Sequence, residues 1–274
     1  MINHGSSNIR ISRNRNVRCV EGQRLVYYRS RPDAAYWDAH WKQNYIEEIY
    51  EKAEQGHLGR FEKLFTGYLP KYGRILEAGC GLGQHVLALR KRGFEIEGID
   101  WAAETVKTAL RKFPDLPIYK GDVTNIEVPS DYYTGYISLG VAEHLFEGPE
   151  SLLREAYRVL KPEGVALISI PYFHILRRLK ARLRLYQTNT DGIEFYQYAF
   201  RNEEFTSLLL SSGFKIIDRM VYSIPKGVKD EIPGFSLVIK LRGIGWRLQR
   251  VLRSWAWARS NLGHMILFIC KKPR

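Results

Sequence analysis

Residues 75–85 read ILEAGCGLGQH: an apolar run, an acid, then three glycines at alternate positions. No other stretch constrains the fold as much. An apolar run of this length fits a buried strand, and closely spaced glycines permit a turn through left-handed backbone. QHVLALRKRG then has helical character and stops at Gly93. The unit is strand, tight loop, helix, and it recurs. FEIEGID, PIYKGD, YYTGYISLG and VALISIP read as strands, with AAETVKTALRKF and PESLLREAYRVLKPEG as intervening helices. RNEEFTSLLLSSG predicts a further helix capped by Asn202, followed by two last strands, FKIIDRMVYS and HMILFICKK. Such alternation predicts an α/β fold with a seven-stranded, mostly parallel sheet and helices on both faces. An antiparallel last strand is allowed, because no helix of ordinary length returns along the sheet before it.

The glycine loop admits several readings. Gly79, Gly81 and Gly83 give G-x-G-x-G, with Gln84 where a dinucleotide fingerprint places its third glycine. A phosphate-binding P-loop is excluded by the absence of G-K-[ST]. A tight turn with no ligand remains open. The neighbouring acids narrow the choice. Glu77 ends the first strand, Asp100 ends the second, and Asp122 follows the third. Asp100 stands where a carboxylate can take two ribose hydroxyls. Three acids at adjacent strand ends suit a nucleoside with a positive substituent better than a pyrophosphate.

These residues resemble the class I S-adenosylmethionine-dependent methyltransferases, and most closely the small-molecule and quinone O-methyltransferases. LEAGCGLG resembles the first motif of the family, EGID the acidic second motif and GD the third. YISLGVAEHLFEGPESLLREAYRVLKPEGVALISIP is similar over its whole length, and the likeness covers about residues 60–220. It implies a Rossmann-like fold with an antiparallel seventh strand, and S-adenosyl-L-methionine as cofactor. It implies a loop of Gly79, Cys80, Gly81 and Gly83 approaching the cofactor, with Glu77 supporting the loop and facing the amino group. Asp100 would bind the ribose, Trp101 stack on adenine, and Asp122 and Val123 flank its amine. Leu139 and Gly140 would face the methionine portion through backbone groups.

Methyl transfer from a sulfonium is an in-line displacement, so alignment matters most, and a hydroxyl acceptor gains from a base. His144, just after the fourth strand, is the candidate base; a role in packing the next helix is the competing reading. His174, after IPYF, is the second candidate. The fourth strand ends without the [ND]-P-P-[YF] signature of amino-group methyltransferases acting on DNA or on protein glutamine, which favours oxygen as acceptor. No metal site is expected.

The net charge of +13 is unevenly spread. Residues 1–31 contribute +6, 173–198 contribute +3 and 224–262 contribute +6, leaving about −2 for the rest. The organisation expected is a basic flexible arm (1–31), a helical cap (32–72) and a cofactor-binding domain (73–274) with insertions at 173–200 and 224–262. Both insertions leave the carboxyl edge of the sheet and are expected as helical lids. In the first, Ile175, Leu176, Leu179, Leu183 and Tyr186 share a helical face. In the second, Ile244, Leu248, Val251, Leu252 and Trp255 do, among Arg242, Arg247, Arg250 and Arg253. Basic amphipathic helices with Trp read as elements of an anionic membrane surface. Lid packing and RNA binding are the alternatives, the latter weaker because no recognised RNA-binding motif is present. The expected partner is a small or lipophilic metabolite, quinone-, lipid- or glycoside-like; the alternative is an RNA-binding methyltransferase or a non-catalytic cofactor-binding protein. Cys19, Cys80 and Cys270 form no CxxC, so a reducing, cytoplasmic compartment is expected.

Overall fold

The computed structural model describes residues 16–29, 31–42, 46–238, 247, 250–251 and 254–274. Ile244, Leu248, Leu252, Arg242 and Arg253 lie outside the described residues.

Seven strands form one sheet in the order β5-β4-β3-β6-β7-β10-β9. They are β3 (Ile75–Ala78), β4 (Ile96–Asp100), β5 (Ile118–Lys120), β6 (Tyr133–Leu139), β7 (Leu160–Pro171), β9 (Lys215–Tyr222) and β10 (Met265–Lys271). β3, β4, β5, β6 and β7 pair in parallel, whereas β10 runs antiparallel to both β7 and β9. Phe268 of β10 lies opposite Ile168 on one side and Arg219 on the other. The chain direction along the sheet reverses between β3 and β6, the position where open α/β sheets gather ligands at their carboxyl edge.

Both faces are covered at the centre of the sheet, where β3, β6, β7 and β10 are mostly apolar, while the edge strands β5 and β9 keep exposed polar residues. One face holds Leu76, Tyr136, Ile168 and Phe268 under α6 (Glu150–Val159) and α8 (Asn202–Ser211). The other holds Ile75, Ile137, Leu167 and Leu267 under α2 (Ile46–Glu54), α3 (Glu62–Tyr68), α4 (Gln84–Lys91) and α5 (Ala103–Lys112). Asn202 does not cap α8; Arg201 stands at that position, and the Asn202 amide oxygen instead accepts from Arg219 of β9.

In the basic stretch expected as a flexible arm, the described residues form strands from Val17 to Arg29. β1 (Val17–Glu21) and β2 (Arg24–Arg29) make a hairpin, and β2 pairs with β8 (Glu194–Ala199) of the first insertion. Two of its arginines pair with distant acids: Arg18 with Glu231 and Arg24 with Glu204, each at 2.6 Å. Helix α1 (Ala34–Lys42) follows. The first insertion is accordingly helix plus strand, with α7 (Ile175–Arg182) preceding β8. The second opens with α9 (Ile224–Lys229) and ends with a helix at Ala256–Asn261.

Candidate active site

The glycine loop is fixed by backbone and packing together. Gly79, Gly81 and Gly83 have φ of 82°, 53° and 69°, left-handed values that side chains resist. A methyl at Gly79 would overlap Val141, and one at Gly81 would lie 2.6 Å from the Trp41 ring. The amides of Gly79 and Cys80 both donate to the Ile99 carbonyl, and the Gly81 amide donates to Asp100 Oδ2 at 2.8 Å. Asp100 Oδ1 accepts from the Ala102 amide at 2.9 Å. The carboxylate therefore splices the first loop to the second, and each of its oxygens retains a lone pair. Burial raises its pKa, against the lowering effect of the two amides.

Beyond this loop lies a cavity of about 260 Å³. Of the candidate site residues, Gly79, Asp100, Trp101, Asp122, Val123, Leu139, Gly140 and His144 line it. Glu77, Cys80, Gly81 and Gly83 are not in its wall; they build the loop behind it. The Cys80 thiol is buried against Gly98, and burial pushes its pKa up. Glu77 is buried with Oε1 2.8 Å from His85 Nδ1, while Oε2 has no hydrogen-bond partner. Asp122 Oδ1 accepts from both the amide and the hydroxyl of Thr124 at 2.8 Å, folding the loop after β5. Trp101 is half exposed at the cavity, not a core residue.

The remaining wall comes from residues the sequence reading did not assign to the site. α1 brings Trp37 and Trp41. Their spacing of four places both on one face of α1, but nothing local says what that face covers. α1 is held there by Asp38, whose Oδ1 accepts from the Thr105 amide (2.7 Å) and hydroxyl (2.8 Å). Thr105 is the third residue of α5, whose own cap position is Ala102, so α1 caps another helix from outside. Val141, Leu145, Gly121 and Thr124 complete the lining.

The insertions do not wall the cavity directly. Instead Tyr196 of β8 holds His144: its carbonyl oxygen lies 2.8 Å from His144 Nδ1. A carbonyl only accepts, so Nδ1 carries the proton and Nε2 keeps its lone pair. The ring stands edge-on to Trp37 (centroids 4.9 Å apart) and Tyr196 (5.0 Å). Burial pushes the His144 pKa down to about 4, so the imidazole is neutral at physiological pH. The neighbouring Glu143 carboxyl is buried, with Oε2 unpartnered, and is pushed up to about 8. His174 is fully buried away from the cavity and pushed down to about 2 by burial and by Arg177. It is thereby removed as a candidate base.

Residues 76–168 match the family model described as a methyltransferase domain. Over 146 residues the chain is 27% identical to a protein of Mycolicibacterium smegmatis named as a probable S-adenosylmethionine-dependent methyltransferase, covering 53% of each. It is 36% identical over 124 residues to an S-adenosyl-L-methionine-dependent Diels-Alderase of Talaromyces variabilis, covering 41% of this chain and 42% of that one. The chain thus spans about half the length of these relatives. A solved S-adenosylmethionine-dependent methyltransferase of Thermotoga maritima has the same fold, with TM-score 0.54 and 17% identity. The match covers 88% of this chain and all of that one.

Proposed function

We propose that this chain, whose residues 76–168 form a class I S-adenosylmethionine-dependent methyltransferase domain, methylates a hydroxyl on a small apolar acceptor. One observation carries the reading. The cavity at the sheet's reversal point joins two nucleoside-suited carboxylates, Asp100 and Asp122, to a neutral, oriented histidine among aromatic walls.

The residues present fit S-adenosylmethionine. Asp100 is anchored by two amides and keeps a lone pair on each oxygen for the ribose hydroxyls. Asp122 and Val123 are the residues proposed to flank the adenine amine and Trp101 the one proposed to stack on adenine; all three line the cavity. The unpartnered Glu77 Oε2, at the strand end before the loop, suits an ammonium group nearby. Leu139 and Gly140 line the side toward His144. The cofactor, when bound, supplies an electrophilic sulfonium methyl. The protein's part is to align an acceptor oxygen, exclude water and hold a proton.

His144 Nε2 is the group proposed to take that proton. Its Nδ1–H donates to the Tyr196 carbonyl, which fixes the ring plane and the tautomer. A base this weak suits an acidic hydroxyl, such as a phenol, better than an alkyl alcohol. Trp37, Trp41, Val141 and Leu145 give such a ring apolar, partly planar walls.

The test is calorimetric titration with S-adenosylmethionine, followed by transfer of labelled methyl to a panel of phenols, alcohols and amines. Asp100→Ala is expected to weaken cofactor binding at least tenfold. His144→Gln is expected to leave binding intact while slowing transfer to a phenol by about 10²-fold or more. Wild-type protein that binds no S-adenosylmethionine refutes the reading. Binding with no transfer to any acceptor replaces it with a cofactor-dependent, non-transferring role.

A further inference from the structure

Helix α7 is turned inside out for a helix packed on a protein core. Ile175, Leu179 and Leu183 recur every fourth residue and are 43%, 50% and 60% exposed, whereas Arg177 is fully buried. The inward arginine explains the orientation. Its guanidinium donates to Glu231 Oε1 at 3.0 Å and to the Tyr172 carbonyl at 2.7 Å, and lies 2.8 Å from His264 Nδ1. Leu176 packs beside it on Ile224, Val228, Ala258 and Leu262. The apolar stripe of α7 is left outside, and Leu185, past the helix end, is also 60% exposed.

The second insertion surrounds the same small core. Ala258 and Leu262 face inward, while Trp255 and Trp257 are about half exposed with ring centroids 5.1 Å apart. Leu237 is 69% exposed. The two acids of the second insertion are taken up by ion pairs: Glu231 with Arg18, Arg177 and Lys180, and Asp230 with Lys226 and His264. Cations point out: Arg182, Arg184, Lys229 and Arg247 are exposed.

We infer that this face docks on an anionic lipid bilayer. Leucines projecting from a short helix, with exposed Trp, Arg and Lys on that helix and on the elements packed around the same small core, match an interfacial element. The apolar stripe enters the acyl boundary while the cations meet lipid headgroups. A second copy of this chain is disfavoured as occupant, because a two-fold contact would set Arg182, Arg184 and Lys229 against their own kind. RNA would meet the aliphatic Ile175, Leu179 and Leu183 between the cations, with stacking planes confined to Trp255, Trp257 and the arginines, and its binding is made an outcome of the test. No described helix is long and apolar enough to cross a membrane, so the contact is superficial. α7 and α9 follow β7 and β9, and therefore stand on the sheet edge that carries the cavity.

The experiment is co-sedimentation of the full chain with vesicles of phosphatidylcholine alone or with about 30% phosphatidylserine. Retention on the anionic vesicles is expected, falling as salt rises. Leu179→Glu plus Leu183→Glu should cut the partition coefficient at least tenfold. Arg182→Gln plus Arg184→Gln should cut it about tenfold on anionic vesicles. All four side chains are outside the core, so thermal midpoint and S-adenosylmethionine affinity should match wild type. Absence of wild-type retention, or retention unchanged in both double variants, overturns the inference. So does binding to single-stranded RNA with none to vesicles. Cofactor affinity is measured separately, so this result is independent of whether methyl transfer is observed.

Discussion

Replacing Gly81 by Ala separates the two reasons for a glycine in the loop. The first is backbone: at φ of 53° an alanine costs about 1–2 kcal/mol. The second is the lid. The new methyl would sit 2.6 Å from Trp41 Cζ2, 2.8 Å from Cε2 and 3.1 Å from Nε1, each inside the ~3.5–4.0 Å of a relaxed contact. Relieving that overlap costs about 1–3 kcal/mol or moves α1 outward. Gly81→Ala should therefore lose about 2–5 kcal/mol in urea unfolding and bind S-adenosylmethionine more weakly. Trp41→Ala removes all three crowding atoms. In the double variant only the backbone cost should remain on top of the Trp41→Ala loss, a favourable coupling of about 1–3 kcal/mol. If the two losses add to within about 0.5 kcal/mol, Trp41 does not press on Gly81 and the packing account of the loop is wrong.

Two further perturbations bear on the lid and the buried acid. Asp38→Ala removes the outside cap on α5 and should cost about 1–2 kcal/mol. It should also weaken cofactor affinity by freeing α1, and unchanged affinity by calorimetry would separate α1 from the cavity. Glu143 is held near pKa 8 by burial, so the unfolded chain releases this proton at lower pH than the folded one. Stability should then fall as pH rises from about 4.5 to 8, by as much as about 4–5 kcal/mol at ~1.4 kcal/mol per pH unit. Glu143→Gln should flatten that slope in denaturation curves at pH 5, 7 and 9; an unchanged slope would assign it to other groups.

The sheet is legible in the sequence because central strands covered on both faces must be mostly apolar, and each βα unit carries its own local stop signals. The cavity floor is legible for the same reason: Asp100, Asp122 and Gly140 sit at fixed offsets from strand ends. What the sequence hides is every decision made by a distant partner. The segment VRCVEGQRLVYYR has a glycine turn between alternating apolar residues, yet its arginines make it read as a mobile arm. Two of those arginines, Arg18 and Arg24, pair with Glu231 and Glu204, 213 and 180 residues away. The tryptophans of α1 likewise become cavity wall only because Asp38 finds Thr105.

Helix α7 shows the same limit most sharply. Periodicity identifies a stripe of Ile175, Leu179 and Leu183 but not its direction, and the default is to bury it. A fully buried guanidinium without a carboxylate would be too costly to hold, so Arg177 can face inward only where Glu231 meets it. Glu231 also meets Arg18 of the hairpin and Lys180 of α7, so one carboxylate ties β1, α7 and the second insertion together. The orientation of an amphipathic helix is then decided by its single internal charge, not by its larger apolar face. The leucines turned outward by that pairing need a partner of their own, which is the physical reason to look for one at a lipid surface.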